Sequence, residues 1–252
     1  MKKIILIIIL IVFILMTCNT ENFDNIKDNI TVVSGFWNVK HKYDKDSYDK
    51  WFKNTLKINQ RYIFFCEKDM QPIISKYREN LETNFIEYKL SDFYANNFNI
   101  DQTHPIHVPS IELGRIWNEK VHLIKLAKDS DSTKTDFYVW VDAGITPFRN
   151  QLPPPVRLNL KDVNSLPHDK LCYSEAYSDY HAFSAGVLII HRDFIDKFHD
   201  IYYKIVKRCS DSWKCGSDQY NFTLMKNEYP DMFYKMSFGY GENLLELYRL
   251  LE

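Results

Sequence analysis

Short apolar runs and longer amphipathic segments alternate along most of this chain. Runs of β-favouring residues predict strands over 30–37, 61–66, 83–90, 136–141, 171–173 and 185–190. Apolar positions at helical spacing predict helices over 47–58, 71–80, 110–127 and 192–209, and another beginning near 217–219. Strands and helices alternate at the spacing of βαβ units. We therefore predict a single α/β domain with a central, mostly parallel sheet flanked by helices.

The strand over 136–141 has the most unusual ending. Five bulky residues in a row suit a strand buried on both faces, and Asp142, Ala143 and Gly144 follow them directly. A buried carboxylate is costly unless it is paired or bound to a metal. At the carboxyl end of such a strand, Asp142 would instead point into the crevice where α/β sheets bind ligands. The alternative is an ordinary Asp-Ala-Gly turn. After Asp142 a long proline-rich region is predicted to be irregular.

The first residues have a different pattern from the rest. Lys2 and Lys3 precede an unbroken apolar run over 4–16. A basic start followed by about 7–15 apolar residues is typical of a secretory signal, whereas a membrane span needs about 17 or more. We predict a signal peptide or signal anchor over 1–20, a short stem over 21–29 and the folded domain over 30–252. The protein would then be exported, or held at a membrane of the secretory pathway or cell envelope.

Composition narrows the class of partner. The chain is 45% hydrophobic and 26% charged, as in ordinary globular proteins. Its net charge of -1 gives no general attraction to nucleic acid, so no nucleic-acid partner is expected.

Two kinds of covalent modification would suit an exported chain. Cys209 and Cys215 flank a short polar loop and are candidates for a disulfide, although the four cysteines after residue 18 allow three pairings. Asn29 and Asn221 each begin a tripeptide that matches the acceptor pattern for N-glycosylation, which would make the protein a glycoprotein.

Three other positions are candidates for chemistry, each with a structural alternative. Lys120, on the helix before the strand that ends at Asp142, would reach a phosphate as a point charge, or lie solvated on the helix. Gly186, near the start of a buried strand, would let a ligand approach the backbone, or allow tight packing. Asp218 would orient a hydroxyl, accept its proton or stabilise positive charge, or cap a helix.

Seven segments in chain order are similar to those of a known family. They are TVVSGFW (31–37), YxxWF (48–52), IFF (63–65), IWNEK (116–120), FYVWVDAG (137–144), AGV (185–187) and DQ (218–219). In this order they resemble a GT-A-type glycosyltransferase, and more specifically the HtrL/YibB (WlaTC-like) family. The resemblance covers nearly all of 31–252. It implies a GT-A-like, Rossmann-related fold and transfer of a sugar from a nucleotide-sugar donor to a hydroxyl of a glycan or glycoconjugate.

The resemblance also implies roles for particular residues. The first strand end, which would receive the donor nucleotide, comprises Val33, Ser34 and Gly35. Lys120 would contact the donor near its phosphates, and Asp142 would hold Mn²⁺ or Mg²⁺ against the diphosphate, offsetting its developing charge. Gly186 would line the acceptor side. Asp218, followed by Gln219, would lie near the reacting carbon as the catalytic pair.

One position departs from the wider GT-A pattern. Gly144 stands where the Asp-x-Asp motif has its second carboxylate, so it would line the donor site without supplying a ligand. A single carboxylate binds a hard divalent ion weakly, because such an ion takes about six oxygen ligands. Either the diphosphate and waters complete the shell, or the enzyme works without metal. The same departure is the basis of an alternative hypothesis, a non-catalytic carbohydrate-binding or surface protein on a transferase-like scaffold.

Overall fold

The computed structural model describes residues 29–40, 42–103, 108–158, 160, 165–176, 182–212 and 216–250. The predicted signal or anchor over 1–20 lies outside these residues, as does the stem except for Asn29. Among the helices that are described, none combines the length and the apolar character that a membrane crossing requires.

Seven strands form one sheet in the described residues: β1 Ile30–Phe36, β2 Tyr62–Cys66, β3 Thr83–Glu87, β4 Phe137–Val141, β5 Leu171–Glu175, β6 Ser184–His191 and β7 Phe233–Phe238. Their order is β3-β2-β1-β4-β6-β5-β7. All neighbouring pairs are parallel except those of β6, which runs antiparallel to both β4 and β5. The predicted α/β class with a mostly parallel sheet is confirmed.

Six α-helices flank this sheet within the same residues: α1 Lys45–Thr55, α2 Gln71–Arg78, α3 Ile111–Ser130, α4 Ile195–Asp211, α5 Asp218–Glu228 and α6 Glu242–Arg249. Three of these helices begin after an N-cap residue whose side chain accepts a hydrogen bond from a first-turn amide: Asp44 for α1, Ser110 for α3 and Ser217 for α5. Each cap satisfies a backbone N–H of the first turn that has no partner within the helix.

Apolar packing on both faces holds the sheet in the middle of the domain. Along β4, Val139 and Val141 belong to one buried cluster, whereas Tyr138 and Trp140 belong to the other. Adjacent side chains of a strand point to opposite faces, so both faces of β4 are covered. The five-residue apolar run was predicted to be such a strand, and its residues are all buried.

Three strands place their ends at one edge of the sheet. β1 and β4 are parallel neighbours, so their carboxyl ends, at Gly35 and Asp142, lie together. Because β6 is antiparallel to β4, its beginning reaches the same edge. The amide of Asp142 donates to the carbonyl of Gly186 at 2.9 Å. This edge is where an α/β sheet binds ligands.

The two predicted modifications have different outcomes. Cys66 and Cys172 are buried free thiols, and burial raises the pKa of each to about 12. Cys215 lies outside the described residues, so its pairing with Cys209 stays a prediction. The glycosylation prediction does not fit the folded chain. Asn29 and Asn221 are buried, and the side-chain nitrogen of each is engaged, by Leu160 O and Asn118 Oδ1 respectively.

Candidate active site

An open cleft lies at the edge where β1 and β4 end. Most of the predicted site residues line it: Gly35, Lys120, Asp142, Gly144, Gly186, Asp218 and Gln219. Val33 and Ser34 do not line this cleft. Val33 packs into an apolar cluster, and Ser34 Oγ donates to Val141 O at 2.7 Å, so both lie in the core beneath it.

Lys120 is the central cation of the site. Its Nζ lies 3.0 Å from Asp142 Oδ1 and 2.8 Å from Asp218 Oδ2, and it donates to the carbonyl of Ala185 at 3.1 Å. The ammonium also donates to Asp142 Oδ2 at 3.3 Å, so it is held by two hydrogen bonds and by the ion pair with Asp218. The Lys120 side chain is only 3% exposed, so the alternative of a solvated helix lysine is wrong.

Asn118 holds the Lys120 segment against the Asp218 segment. Its Nδ2 donates to Gly216 O at 3.1 Å, two residues before Asp218, while Asn118 itself is two residues before Lys120 on α3. Tyr203 OH donates to Asn118 O at 2.8 Å and ties α3 to α4. These buried hydrogen bonds fix the distance between the lysine and the second carboxylate.

The two carboxylates differ in what a ligand can reach. The Asp142 side chain is 35% exposed, whereas that of Asp218 is 4% exposed. Asp142 Oδ1 also accepts from Trp140 Nε1 at 2.7 Å, and Asp218 Oδ1 accepts from the amide of Gln219 at 2.8 Å. Asp142 is thus the more exposed of the two carboxylates that line the cleft. Ser217, not Asp218, occupies the N-cap position of α5.

Burial and charge act against each other in this cluster. Burial lowers the pKa of Lys120, but Asp142 and Asp218 outweigh it, and the net shift is upward, so the amine stays charged. Burial raises the pKa of Asp218, and the charge of Lys120 only partly opposes that rise. One cation therefore serves two carboxylates, and burial favours the protonated form of Asp218.

Glycines shape the floor of the cleft. A Cβ at Gly186 would come within 2.8 Å of Ile145 Cδ1, and a Cβ at Gly35 within 2.6 Å of the Trp37 ring. A side chain at Gly35 would therefore collide with a buried ring, whereas one at Gly186 would require the end of the Ile145 side chain to shift. Gly144 has a backbone φ of 97°, in the region that favours glycine. An aspartate there would be strained, which gives a backbone reason for the missing second carboxylate.

The described residues do not fit a divalent metal ion. Among them, no group of three or more His, Cys, Asp or Glu side chains could hold one. Asp142 is the carboxylate predicted to bind metal, and its oxygens already contact Lys120 and Trp140. Mn²⁺ or Mg²⁺ would need several more oxygen ligands. The metal role of Asp142 stays a prediction without a matching donor set.

Sequence reasoning missed a basic, aromatic wall of the cleft. The Arg149 guanidinium lies 4.1 Å from the centroid of the Trp51 ring and 4.8 Å from that of Tyr43. Lys42 Nζ lies 5.1 Å from the Tyr43 ring centroid and 5.8 Å from that of Trp117. One signal for this wall was present in the sequence, the spacing of the aromatic residues Tyr48 and Trp51 in α1. Arg149 lies in the region that was predicted to be irregular, where no pattern indicates its position.

Comparisons with known proteins were made on sequence and on structure. No family model and no curated protein matches the chain, so the resemblance to the HtrL/YibB family stays a prediction. Mouse xyloside xylosyltransferase 1, in its apo form, is similar at a TM-score of 0.49 and 10% identity, over 83% of this chain and 84% of that chain.

Two other solved structures are similar to a lesser degree. A glycosyltransferase involved in glycosylation of the major capsid of PBCV-1 gives a TM-score of 0.41 at 14% identity, over 82% of this chain and 81% of that chain. The 4-diphosphocytidyl-2C-methyl-D-erythritol synthase of Anaerococcus prevotii gives a TM-score of 0.44 at 10% identity, over 85% of this chain and 90% of that chain. Proteins of one fold carry out many different reactions, so a likeness of fold does not determine activity.

Proposed function

We propose that this protein is a glycosyltransferase that moves a sugar from a nucleotide-sugar donor to a hydroxyl of a glycan or other acceptor. The observation that supports it most is the Lys120 ammonium held between Asp142 and Asp218 in the cleft. A charged, partly desolvated cluster at the carboxyl ends of parallel strands is typical of an active site.

The reaction sets the tasks of these residues. The bond between the anomeric carbon and a phosphate oxygen breaks, the acceptor oxygen bonds to that carbon, and the hydroxyl loses its proton. The nucleoside diphosphate leaves with additional negative charge. Lys120, which is charged and fixed in the cleft, offsets that charge without having to reorganise.

The exposure of the two carboxylates divides their roles. Asp142 has an oxygen within reach of a ligand, so it contacts the sugar or takes the proton of the acceptor hydroxyl. Asp218, which the family resemblance assigns to the reacting carbon, is only 4% exposed and pairs with Lys120, so it acts first by positioning the lysine. Gln219 lines the cleft beside it and offers its amide to a sugar hydroxyl. The segment over 1–20 would hold the enzyme at a membrane.

The test is turnover by the purified full-length chain in detergent, with a panel of nucleotide sugars. Wild type should release nucleoside diphosphate from at least one donor. Asp142→Asn should lower that turnover about 100-fold, because it removes the reachable carboxylate. Asp211→Asn, an exposed helix-end carboxylate paired with Lys207, is the matched control and should leave turnover unchanged. No turnover and no binding of any donor would contradict the proposal.

A second function is favoured by one specific contact pattern. Both carboxylates are engaged by Lys120, as suits a site kept for binding. A non-catalytic carbohydrate-binding protein would bind free sugars independently of nucleotide and would turn over no donor. Titration of the same protein with free monosaccharides and oligosaccharides distinguishes the two functions.

A further inference from the structure

We infer that the basic, aromatic wall of the cleft binds the diphosphate of the donor directly, with Arg149 and Lys42 as its ligands and no divalent ion between them. This inference rests on the proposed function and identifies how that site takes its substrate. These two cations add to Lys120, whose charge is shared by two carboxylates.

Arg149 and Lys42 differ from the buried cations of the domain. In the part of the chain that the structure describes, neither forms an ion pair, whereas the buried cations Lys120 and Arg61 both do. Arg149 is half-buried and Lys42 is exposed, and both line the cleft. Uncompensated positive charge in a cleft attracts an anionic ligand.

The surroundings of Arg149 hold its guanidinium ready for a phosphate. The ring of Trp51 stacks on it, Nε donates to Gly144 O at 3.3 Å and Nη2 approaches Tyr43 OH at 3.5 Å. Nη1 has no partner within the described residues. A guanidinium positioned by stacking, with donors to spare, suits bidentate binding of phosphate oxygens.

The pKa of the Tyr43 hydroxyl reflects the positive charge of this wall. Burial would raise the pKa of Tyr43, but Lys42 and Arg149 outweigh burial and lower it. The two cations therefore act on the same small region of the cleft. A phosphate oxygen there would contact both of them and could accept from the Tyr43 hydroxyl.

Gly144 connects this wall to the missing carboxylate. Its carbonyl receives Arg149, and a Cβ there would lie 3.4 Å from Trp51 Cβ in a backbone conformation that disfavours side chains. Gly144 stands where a metal would take its second carboxylate. At this strand end the chain instead holds the Arg149 guanidinium, through the Gly144 carbonyl. The charge that a metal would supply to a diphosphate comes from side chains instead.

The experiment is a binding titration of the full-length protein in detergent, followed by tryptophan fluorescence or calorimetry. The probes are inorganic pyrophosphate, UDP, GDP, ADP and CDP, each with EDTA and, separately, with MnCl₂. We expect pyrophosphate and at least one nucleoside diphosphate to bind in EDTA. Arg149→Gln should weaken that binding about 10-fold to 100-fold, because it removes charge-assisted hydrogen bonds.

Further variants separate a direct contact from a structural effect. Arg149→Lys should recover part of the affinity, and Arg249→Gln, an exposed arginine on α6, should leave it unchanged. Lys42→Gln repeats the test at an exposed residue that the fold does not need, should Arg149→Gln fail to fold. It is expected to weaken pyrophosphate binding several-fold.

The outcomes distinguish this inference from the proposed function. Binding that requires Mn²⁺, or binding in EDTA that survives both Arg149→Gln and Lys42→Gln, overturns the inference and leaves the glycosyltransferase proposal standing. Absence of binding by every nucleoside diphosphate and nucleotide sugar, with or without Mn²⁺, overturns both.

Discussion

Two buried networks of a cation and carboxylates lie at opposite edges of the same sheet. Arg61, just before β2, pairs with Asp131, just after α3, at the amino ends of the strands. Lys120 pairs with Asp142 and Asp218 at the carboxyl ends. The ingredients are alike, so the difference between the networks indicates what makes one of them a candidate site.

The Arg61 network is closed. Arg61 binds Asp131 through two parallel hydrogen bonds, Nη1 to Oδ1 at 3.0 Å and Nη2 to Oδ2 at 2.8 Å. Thr135 Oγ1 and Tyr138 OH also donate to Asp131 Oδ2. Burial alone would raise the pKa of Asp131, but these donors hold it well below its usual range. Asp131 has no oxygen left for a ligand, so this network stabilises the fold.

The Lys120 network is open. It has two carboxylates for one cation, and lysine offers a point charge in place of a planar fork. Asp142 keeps 35% of its side chain exposed, and the pKa of Asp218 is raised where that of Asp131 is lowered. A buried ion pair is a structural feature when all its acceptors are satisfied internally. It becomes a candidate site when one acceptor still faces a cleft.

Lys120→Met should have the largest effect, because it removes the only cation of the open network among the described residues and so affects both turnover and stability. We expect turnover of nucleotide sugar to fall at least about 100-fold, since the fixed cation is lost. The free energy of unfolding should fall by about 3–5 kcal/mol, since Asp218 is left buried without a partner. Turnover assays and urea unfolding measure the two effects.

The double variant Lys120→Met/Asp218→Asn is the control for that interpretation. Removing the stranded charge should restore most of the stability but none of the turnover. Recovery of turnover in the double variant would show that Lys120 has no part in the reaction.

Asp131→Asn should affect the closed network alone. Arg61 would keep its charge without a carboxylate, so we expect the free energy of unfolding to fall by about 3 kcal/mol. Affinity for nucleoside diphosphate, measured below the unfolding transition, should stay within about twofold of wild type. A larger change in affinity would mean that the two edges of the sheet are coupled.

Glu119 sharpens the comparison, because it is a buried carboxylate with no cation among the described residues. It accepts from the amides of Ala95 and Tyr94 at 2.7 and 2.9 Å and from Tyr88 OH at 3.0 Å. Burial raises its pKa to about 7. Hydrogen bonds alone therefore do not keep this carboxylate at its usual pKa.

The sign of the resulting pH dependence follows from that shift. The folded chain binds the Glu119 proton more tightly than the unfolded chain does. Its contribution to stability is therefore full below about pH 4.5 and is lost as the pH rises to about 7, by about 3 kcal/mol. Urea unfolding of wild type and Glu119→Gln across this range should show the slope in wild type only. Parallel pH profiles would contradict the assignment.

The local pattern predicted most of the elements that build this site. β1, β4 and α3 lie within a few residues of their predicted bounds, and the apolar run before Asp142 is a buried strand. β7 was missed, although Tyr234, Met236 and Phe238 alternate with polar residues. Tyr234 and Phe238 are exposed, so this strand at the edge of the sheet adds little to the core. Arg149 was missed because irregular backbone has no periodicity from which to predict a position.

The sequence by itself determined which strand ends in a carboxylate, which helix presents Lys120 and that the class is α/β, because hydrophobic periodicity is a property of neighbouring residues. Only the tertiary structure decided that Lys120 pairs with Asp218 as well as Asp142, and that Arg149 reaches Gly144. It also decided which carboxylate stays exposed. Those contacts join residues far apart in the chain, so they depend on strand order, on the antiparallel β6 and on the packing of α3 against α5.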